Sequence, residues 1–219
     1  LEYNNLIHKL SVDPRISLAL KTGGPGQFSL AYGRFRQSPK NEFLRIDKAL
    51  GAEKAEHLIL NFQVVENNRT FRIETYYKHY NDLIKYPKEY PQQISNAGKG
   101  YAKGLEVFWR DNRSIKNVDY WISYSYLDTE RDYLDFPQAA VPSFASAHNF
   151  SLVYKHYVPA IKSQLGLTYS YTSGRPYNDP NTELFNGGKT PYYADLSANV
   201  AYLPKPYIIF YVSCTNLLG

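Results

Sequence analysis

Cysteine is almost absent from this 219-residue sequence: Cys214 is the one cysteine, and there is no methionine. A single cysteine cannot form a disulfide within the chain, and no CxxC or HExxH spacing occurs, so disulfide and zinc frameworks are excluded. No stretch approaches about 18 consecutive apolar residues, which excludes a transmembrane helix. The net charge is +5, but the basic residues are dispersed and form no basic run. We therefore expect no metal, no cofactor and no nucleic-acid partner.

Tyrosine, by contrast, is abundant. The chain has 22 Tyr, 11 Phe and 2 Trp, yet its mean hydropathy is −0.48. Tyrosine has an apolar ring and a polar hydroxyl, which suits a boundary between apolar surroundings and water. Because Tyr, Phe, Thr, Gly and Pro are poor helix formers, the composition argues against a helical bundle.

Apolar and polar residues alternate with a period of two, which is typical of β-strands. Most of these segments have eight to fourteen residues, whereas strands of soluble proteins centre on about five or six. A tilted strand that crosses a membrane needs about 9–11 residues. The predicted strands are Arg15 to Thr22, Gln27 to Arg36, Ala55 to Glu66, Thr70 to Leu83, Gly104 to Asp111, Val118 to Thr129, Ala147 to Tyr157, Ser163 to Thr172, Pro191 to Tyr202 and Tyr207 to Leu217.

The connections between these strands alternate in length. The short ones are 23–26, 67–69, 112–117, 158–162 and 203–206, and the long ones are 37–54, 84–103, 130–146 and 173–190. In an up-and-down meander every second connection lies at the same end, so all short turns share one rim and all long loops the other. Outer-membrane barrels have this asymmetry, with short periplasmic turns and long extracellular loops.

The alternation also separates apolar from ionic residues. In the strand from Thr70, one face has Phe71, Ile73 and Tyr77, while the other has charged residues. A polar wall facing the barrel lumen is predicted from Arg72, Glu74, Lys78, Glu106 and Arg110, which we interpret as a cross-strand salt-bridge ladder rather than a contact surface for a solute. Tyrosines cluster at both ends of the apolar faces, as two membrane interfaces would select. The face of the last strand is ambiguous.

Several phrases resemble those of TonB-dependent outer-membrane receptors of the Bacteroidetes type. In chain order they are Tyr32 to Pro39 (YGRFRQSP), Glu53 to His57 (EKAEH), Arg72 to Leu83 (RIETYYKHYNDL), Gly98 to Glu106 (GKGYAKGLE), Ser173 to Tyr177 (SGRPY) and Asn216 to Gly219 (NLLG). Each phrase alone is weak evidence for this family, but the occurrence of all of them in the same order is specific to it. The resemblance covers nearly the whole chain from about Asp13 onward.

The resemblance implies an all-β, antiparallel up-and-down transmembrane β-barrel of 22 strands in the outer membrane of a Gram-negative cell. We expect residues 1–219 to be about ten of these strands, with the N-terminal plug domain, its TonB box and the closing C-terminal strand absent. We also read Leu1 and Gly219 as the ends of an internal piece. A genuine ten-stranded barrel, closed between its first and tenth strands, is the alternative.

The function implied by the resemblance is energy-coupled uptake of a solute such as an iron chelate, vitamin, peptide or glycan. The implied partners are outer-membrane lipid, the chain's own plug domain, TonB-ExbB-ExbD, the small solute and a surface lipoprotein. Two alternatives stay open: a passive porin or structural barrel, and a soluble β-sandwich that binds carbohydrate and would need its apolar faces to form a closed core. No catalysis is expected, since His79 and Asp82 fall on opposite faces of their strand.

Candidate solute-binding residues lie in the long loops, at the rim that an incoming solute meets first. Arginine and aromatic side chains are frequent binding anchors. The candidates are Tyr86, Tyr90, Arg131, Tyr133, Arg175 and Tyr177.

Overall fold

One antiparallel sheet of ten strands dominates the computed structural model, which describes residues 2–4 and 9–219. The strands of this sheet are β3 (Arg15–Lys21), β4 (Gly26–Gln37), β5 (Glu53–Glu66), β6 (Arg69–Lys85), β7 (Ser95–Asp111), β8 (Val118–Asp132), β9 (His148–Val158), β10 (Ser163–Thr172), β13 (Tyr193–Lys205) and β14 (Ile208–Cys214). Their spatial order follows the chain from β3 to β14. All ten predicted strands and the up-and-down topology are confirmed.

The remaining elements are small. Strands β1 (Glu2–Asn4) and β2 (Lys9–Ser11) pair with each other, and β11 (Pro176–Tyr177) pairs with β12 (Gly188–Lys189) inside the last long loop. Helix α1 (Asn41–Ile46) lies in the first long loop, and a 3₁₀ turn (Pro159–Ile161) lies in a short one. No helix of the described residues is long and apolar enough to cross a membrane.

The sheet is open at both edges among the described residues, because β3 and β14 have one partner each and do not pair with each other. A ten-stranded barrel closed between these two strands is therefore not formed. The alternating connection lengths are as predicted, so one rim has only short turns and the other only long loops. We call these the short-turn rim and the long-loop rim.

The cross-strand register places the apolar residues of successive strands on one face of the sheet, the apolar face. Phe62 faces Ile73, Ile73 faces Val107, and further along Ile122 faces Leu152. Val200 pairs with Val212, which settles the ambiguous last strand: Phe210, Val212 and Cys214 share this face. The face is not covered, since Leu20 and Val212 are each 71% exposed. An exposed apolar face contradicts the closed core that a soluble β-sandwich needs.

Tyrosines border the apolar face at both rims, as predicted. Tyr120 pairs with Tyr154 near the short-turn rim. At the long-loop rim, the rings of Tyr171 and Tyr192 lie 5.6 Å apart. These amphipathic rings mark where an apolar layer meets water.

The turn between β7 and β8 is organised by a buried carboxylate. Asp111 is 2% exposed and accepts hydrogen bonds from Arg69 Nε at 3.1 Å, from the Arg113 and Ser114 backbone N–H groups at 2.8 Å each, and from Ser114 Oγ at 2.5 Å. These donors leave no part of the carboxylate without a partner, so the turn is held to both β6 and β7.

Replacing this carboxylate is expected to destabilise the barrel. In the full-length receptor, Asp111→Asn should cost about 1–3 kcal/mol because a buried hydrogen-bonded charge is lost. The measurement is the temperature at which the folded, heat-modifiable band converts to the unfolded band on a gel. Glu66→Gln is the matched control, because Glu66 is an exposed carboxylate at the end of β5, at the same rim, and forms no ion pair within residues 12–219. An equal midpoint for both variants would contradict this role of Asp111.

Candidate functional site

The long loops form a layer with its own apolar cluster. Leu50, Ile84 and Ile94 are buried together and come from three different segments. Leu134 joins the cluster, and its backbone N–H donates to the Ile84 carbonyl oxygen at 2.6 Å. The first long loop is joined to the start of β7 by Asn96, whose Oδ1 accepts from the Gly51 backbone N–H at 2.7 Å. These contacts join segments of the first three long loops into one layer.

Beneath this layer, on the polar face of the sheet, is a cavity of about 550 Å³ that we call the rim cavity. It is lined by Phe35, Arg36, Gln37, Lys40, Phe43, Glu53, Lys54, Ala55, His57, Tyr80, Leu83, Arg131, Tyr133 and Leu134. Aromatic rings and basic groups predominate in this lining, with Glu53 as its one carboxylate. The composition suits an anionic ligand with planar groups.

Arg131 is held in the rim cavity by aromatic rings. Its guanidinium carbon lies 4.5 Å from the ring centre of Tyr80, and 5.5 Å from those of Tyr133 and Phe144. The backbone is fixed by Ala140, since Arg131 N–H donates to its carbonyl oxygen at 2.9 Å. A Cβ on the opposing Gly100 would lie 2.9 Å from Arg131 Cγ, so the side chain needs glycine there.

One nitrogen of the Arg131 guanidinium lacks an acceptor among the described residues. This nitrogen, Nε, is buried. The other lysine and arginine side chains of the rim cavity have carboxylate partners: Arg36 Nε lies 2.9 Å from Asp13 Oδ1, Lys54 Nζ lies 2.5 Å from Asp82 Oδ2, and Lys40 Nζ lies 3.7 Å from Glu42 Oε1. A buried donor without a partner costs about 1–3 kcal/mol. An anionic ligand would remove this cost.

A second cavity of about 610 Å³, the loop cavity, lies among the long loops. It is lined by Lys85, Tyr86, Pro87, Lys88, Glu89, Gln93, Ser95, Ala97, Asp135, Pro137, Asn178 and Phe185. The rings of Tyr133 and Phe136 lie 4.8 Å apart, as do those of Phe136 and Phe185. This aromatic chain joins the third and fourth long loops and connects the linings of the two cavities.

Tyr86 in the loop cavity and Tyr133 in the rim cavity each have a raised pKa, so their hydroxyls stay protonated at neutral pH. Burial raises the pKa of Tyr86, and the nearby Asp135 and Glu42 carboxylates add to the effect. Burial also raises the pKa of Tyr133, against the opposing influence of Arg131. Both hydroxyls can therefore donate to an acceptor on a ligand.

The six loop candidates from the sequence are not gathered into one site. Arg131 and Tyr133 line the rim cavity, and Tyr86 lines the loop cavity. Tyr90 is exposed outside both. Arg175 is exposed, and its backbone exchanges two hydrogen bonds with Thr190. The Tyr177 ring lies over Gly188, where a Cβ would approach it to 2.7 Å.

Four aromatic residues of the rim cavity were not among the sequence candidates: Phe43 in helix α1 and three residues on strands. Phe35, His57 and Tyr80 lie on β4, β5 and β6 rather than in loops, and the rings of Phe35 and His57 are 4.5 Å apart. In the sequence, these three residues could have been recognised because each falls on the polar face of its strand, close to a long loop.

The five charged residues of the predicted polar wall share the face opposite the apolar one. Arg110 pairs with Asp119 through two hydrogen bonds of 2.9 and 2.7 Å. Glu74 and Glu106 face each other directly. The cations lie over aromatic rings: Arg72 is 5.9 Å from the Phe108 ring centre, and Lys78 is 4.8 Å from that of Tyr76.

The predicted salt-bridge ladder is therefore wrong. Within residues 12–219, Arg110 is the only one of the five wall residues in an ion pair, and its partner Asp119 was not in the predicted set. The physical reason is the cross-strand register. It places Arg72 between two uncharged residues, Gln63 and Phe108. It also places Glu74 opposite Glu106, which has the same charge.

The sequence of residues 17–217 matches the family described as TonB dependent receptor-like, beta-barrel. No curated protein matches the sequence. The family consists of receptors rather than enzymes, and its barrels are integral to the outer membrane; these predictions are confirmed. The match does not distinguish the Bacteroidetes type, which stays a prediction.

Solved structures of outer-membrane receptors have the same fold. The ferric-catecholate import receptor Fiu of E. coli K12 aligns with a TM-score of 0.73 and 12% identity over 93% of this chain and 30% of its own. The ferric yersiniabactin uptake receptor FyuA of Yersinia pestis aligns with a TM-score of 0.71 and 16% identity, over 93% of this chain and 32% of its own. The outer membrane transporter YddB of Escherichia coli aligns with a TM-score of 0.74 and 12% identity, over 99% of this chain and 38% of its own. The chain thus spans about a third of the length of these structures.

The apolar face therefore contacts lipid and the polar face lines the lumen. The sheet, its uncovered apolar face and its rim asymmetry agree with the family that matches residues 17–217. The chain belongs to the TonB-dependent receptor-like β-barrel family and forms ten strands of a transmembrane barrel wall.

Proposed function

We propose that the chain is part of the barrel wall of a receptor for energy-coupled solute uptake, and that the solute binds in the rim cavity. The observation that carries this proposal is Arg131, whose buried Nε has no acceptor within the described residues and whose guanidinium is flanked by three rings. A stacked arginine with an unused donor suits a carboxylate or another anionic oxygen of a solute.

The transport step needs more than this wall. We propose that residues 1–219 are a partial barrel domain, and that a plug domain and a closing strand come from other parts of the protein. The polar face supports a plug, since β8, β9 and β10 carry small hydroxyl residues there: Ser123, Ser125, Ser151, Thr168 and Ser170. Small side chains leave room in the lumen for another domain.

An iron chelate is the solute class that we propose first. Fiu and FyuA are a ferric-catecholate and a ferric yersiniabactin receptor, and ferric chelates are often anionic and planar in parts. A vitamin, a peptide and a glycan are the alternative solute classes, and the uptake experiment below includes a probe for each. A surface lipoprotein as an additional partner stays a prediction.

The test is uptake by cells that express the full-length protein, with and without TonB. Radiolabelled ferric citrate, cyanocobalamin, a peptide digest and maltodextrin are the probes. We expect one probe to accumulate, and we expect its accumulation to disappear in the strain without TonB because the energy arrives through TonB-ExbB-ExbD.

The passive-porin alternative gives the opposite result. A probe that enters at the same rate with and without TonB would contradict energy-coupled uptake. A full-length gene without a plug would contradict it as well.

A further inference from the structure

The short-turn rim carries an excess of positive charge. Each connection is counted here together with its flanking strand residues. At the short-turn rim the basic residues are Lys21, Arg69, Arg113, Lys116, Lys162 and Lys205, and the acidic residues are Glu66 and Asp111. At the long-loop rim the basic residues Lys40, Arg45, Lys48, Lys85, Lys88, Arg175 and Lys189 are balanced by Glu42, Asp47, Glu53, Glu89, Asp132, Asp135, Asp179 and Glu183.

Most cations of the short-turn rim are not neutralised by the protein. Arg69 pairs with Asp111 at 3.1 Å. The other five basic residues are exposed and form no ion pair within residues 12–219. The rim therefore presents uncompensated charge to whatever lies next to it.

Three of these turns also expose an apolar residue beside the lysine. Ile115 precedes Lys116 and is 52% exposed, and Ile161 precedes Lys162 and is 55% exposed. Tyr207 is 78% exposed, and Lys205 Nζ lies 5.9 Å from its ring centre. An exposed apolar group paired with a lysine is typical of residues at the boundary between headgroups and acyl chains.

The three turns lie next to each other along the rim. Strand β8 pairs with β9, and β10 pairs with β13, so the β7–β8, β9–β10 and β13–β14 turns follow one another in the sheet. The register shift after Tyr202 pairs Lys205 with Ile208, and Ile208 shares the apolar face with Phe210. Lys205 thus lies at the border of the lipid-contacting face, where a lipid headgroup would be.

We propose that these three turns, which we call the basic turn surface, bind the headgroups of anionic phospholipids in the periplasmic leaflet. The lysines contact the phosphate, and Ile115, Ile161 and Tyr207 insert at the level of the glycerol and upper acyl chains. Lipid is favoured over a soluble anion because the exposed apolar residues can be buried against acyl chains, which a soluble anion does not offer. The surface lies at the opposite rim from the rim cavity, so this binding is independent of the solute.

The test is native mass spectrometry of the full-length receptor in detergent, titrated with phosphatidylglycerol or with phosphatidylcholine of the same acyl chains. We expect phosphatidylglycerol to bind more tightly. The triple variant Lys116→Gln, Lys162→Gln, Lys205→Gln should lose about five-fold in affinity for each lysine removed, which is the factor expected for a lysine near an anionic surface.

The matched control removes three exposed cations from the long-loop rim, as Arg45→Gln, Lys48→Gln and Lys189→Gln. This control should bind phosphatidylglycerol as the wild type does. Ile115→Ser with Ile161→Ser should also weaken the lipid, which a site for free phosphate would not. Equal loss in both triple variants, equal binding of both lipids, or displacement of the lipid by inorganic phosphate would overturn the proposal.

Discussion

Ile122→Arg is expected to lower the free energy of unfolding of the full-length receptor by about 1–3 kcal/mol, which lies between the cost of an arginine at the interface and its cost at the membrane centre on the lipid face of a barrel. Ile122 lies between Trp109 and Leu152 on the neighbouring strands. On its own strand, Ile122 lies on the apolar face two residues from Tyr120, which borders that face at the short-turn rim, and two residues from Tyr124. The measurement is a urea titration of the receptor folded into lipid vesicles, followed by tryptophan fluorescence.

Asn61→Arg is the matched control because it places the same side chain on the lumen face, in β5. Asn61 pairs with Ser29 and with Glu74, so the new arginine lies opposite a carboxylate of the polar wall. We expect this variant to unfold within about 0.5 kcal/mol of the wild type, as surface substitutions usually do. Equal losses for the two variants would mean that the faces are assigned wrongly.

The existence, number and order of the ten strands follow from the sequence because the two-residue alternation is long in each strand. Boundaries follow less well where small residues interrupt the pattern. Strand β7 begins at Ser95 rather than at the predicted Gly104. The stretch from 95 to 103 contains Gly98 and Gly100, which are poor strand formers. It is extended because it pairs with β6 and β8.

The rim cavity was predicted only in part, and the reason lies in how it is built. Arg131 lies at the end of β8 and Tyr133 lies at the start of the long loop that follows, where the alternation pattern ends and a binding residue is expected. Tyr80 and His57 reach the same cavity from β6 and β5. Their position depends on register and on the β-bulge after Tyr80, where Asp82 has a φ of 56°. A bulge of this kind leaves little trace in an alternation pattern.

Arg131→Gln is expected to weaken binding of the transported solute by about 30-fold or more, which is the loss typical of an anchor residue in a binding site. Glutamine keeps a hydrogen-bond donor but loses the charge and the planar group that stacks on Tyr80. The measurement is the equilibrium binding of the probe that accumulates in the TonB-dependent uptake assay, with purified full-length receptor. The temperature of the heat-modifiable transition is measured in parallel to confirm that the variant is folded.

Two further variants separate a role of Arg131 in binding from a role of charge in general. Arg175→Gln removes an exposed arginine from another long loop and should leave affinity unchanged, because Arg175 lines neither cavity. Arg131→Lys keeps the charge but cannot stack as a planar fork, so its affinity should lie between those of the wild type and Arg131→Gln. Wild-type affinity in a folded Arg131→Gln variant would mean that the unpaired Nε serves the packing of Phe144 and Tyr80 alone, and the solute site would then have to be sought in the loop cavity around Tyr86.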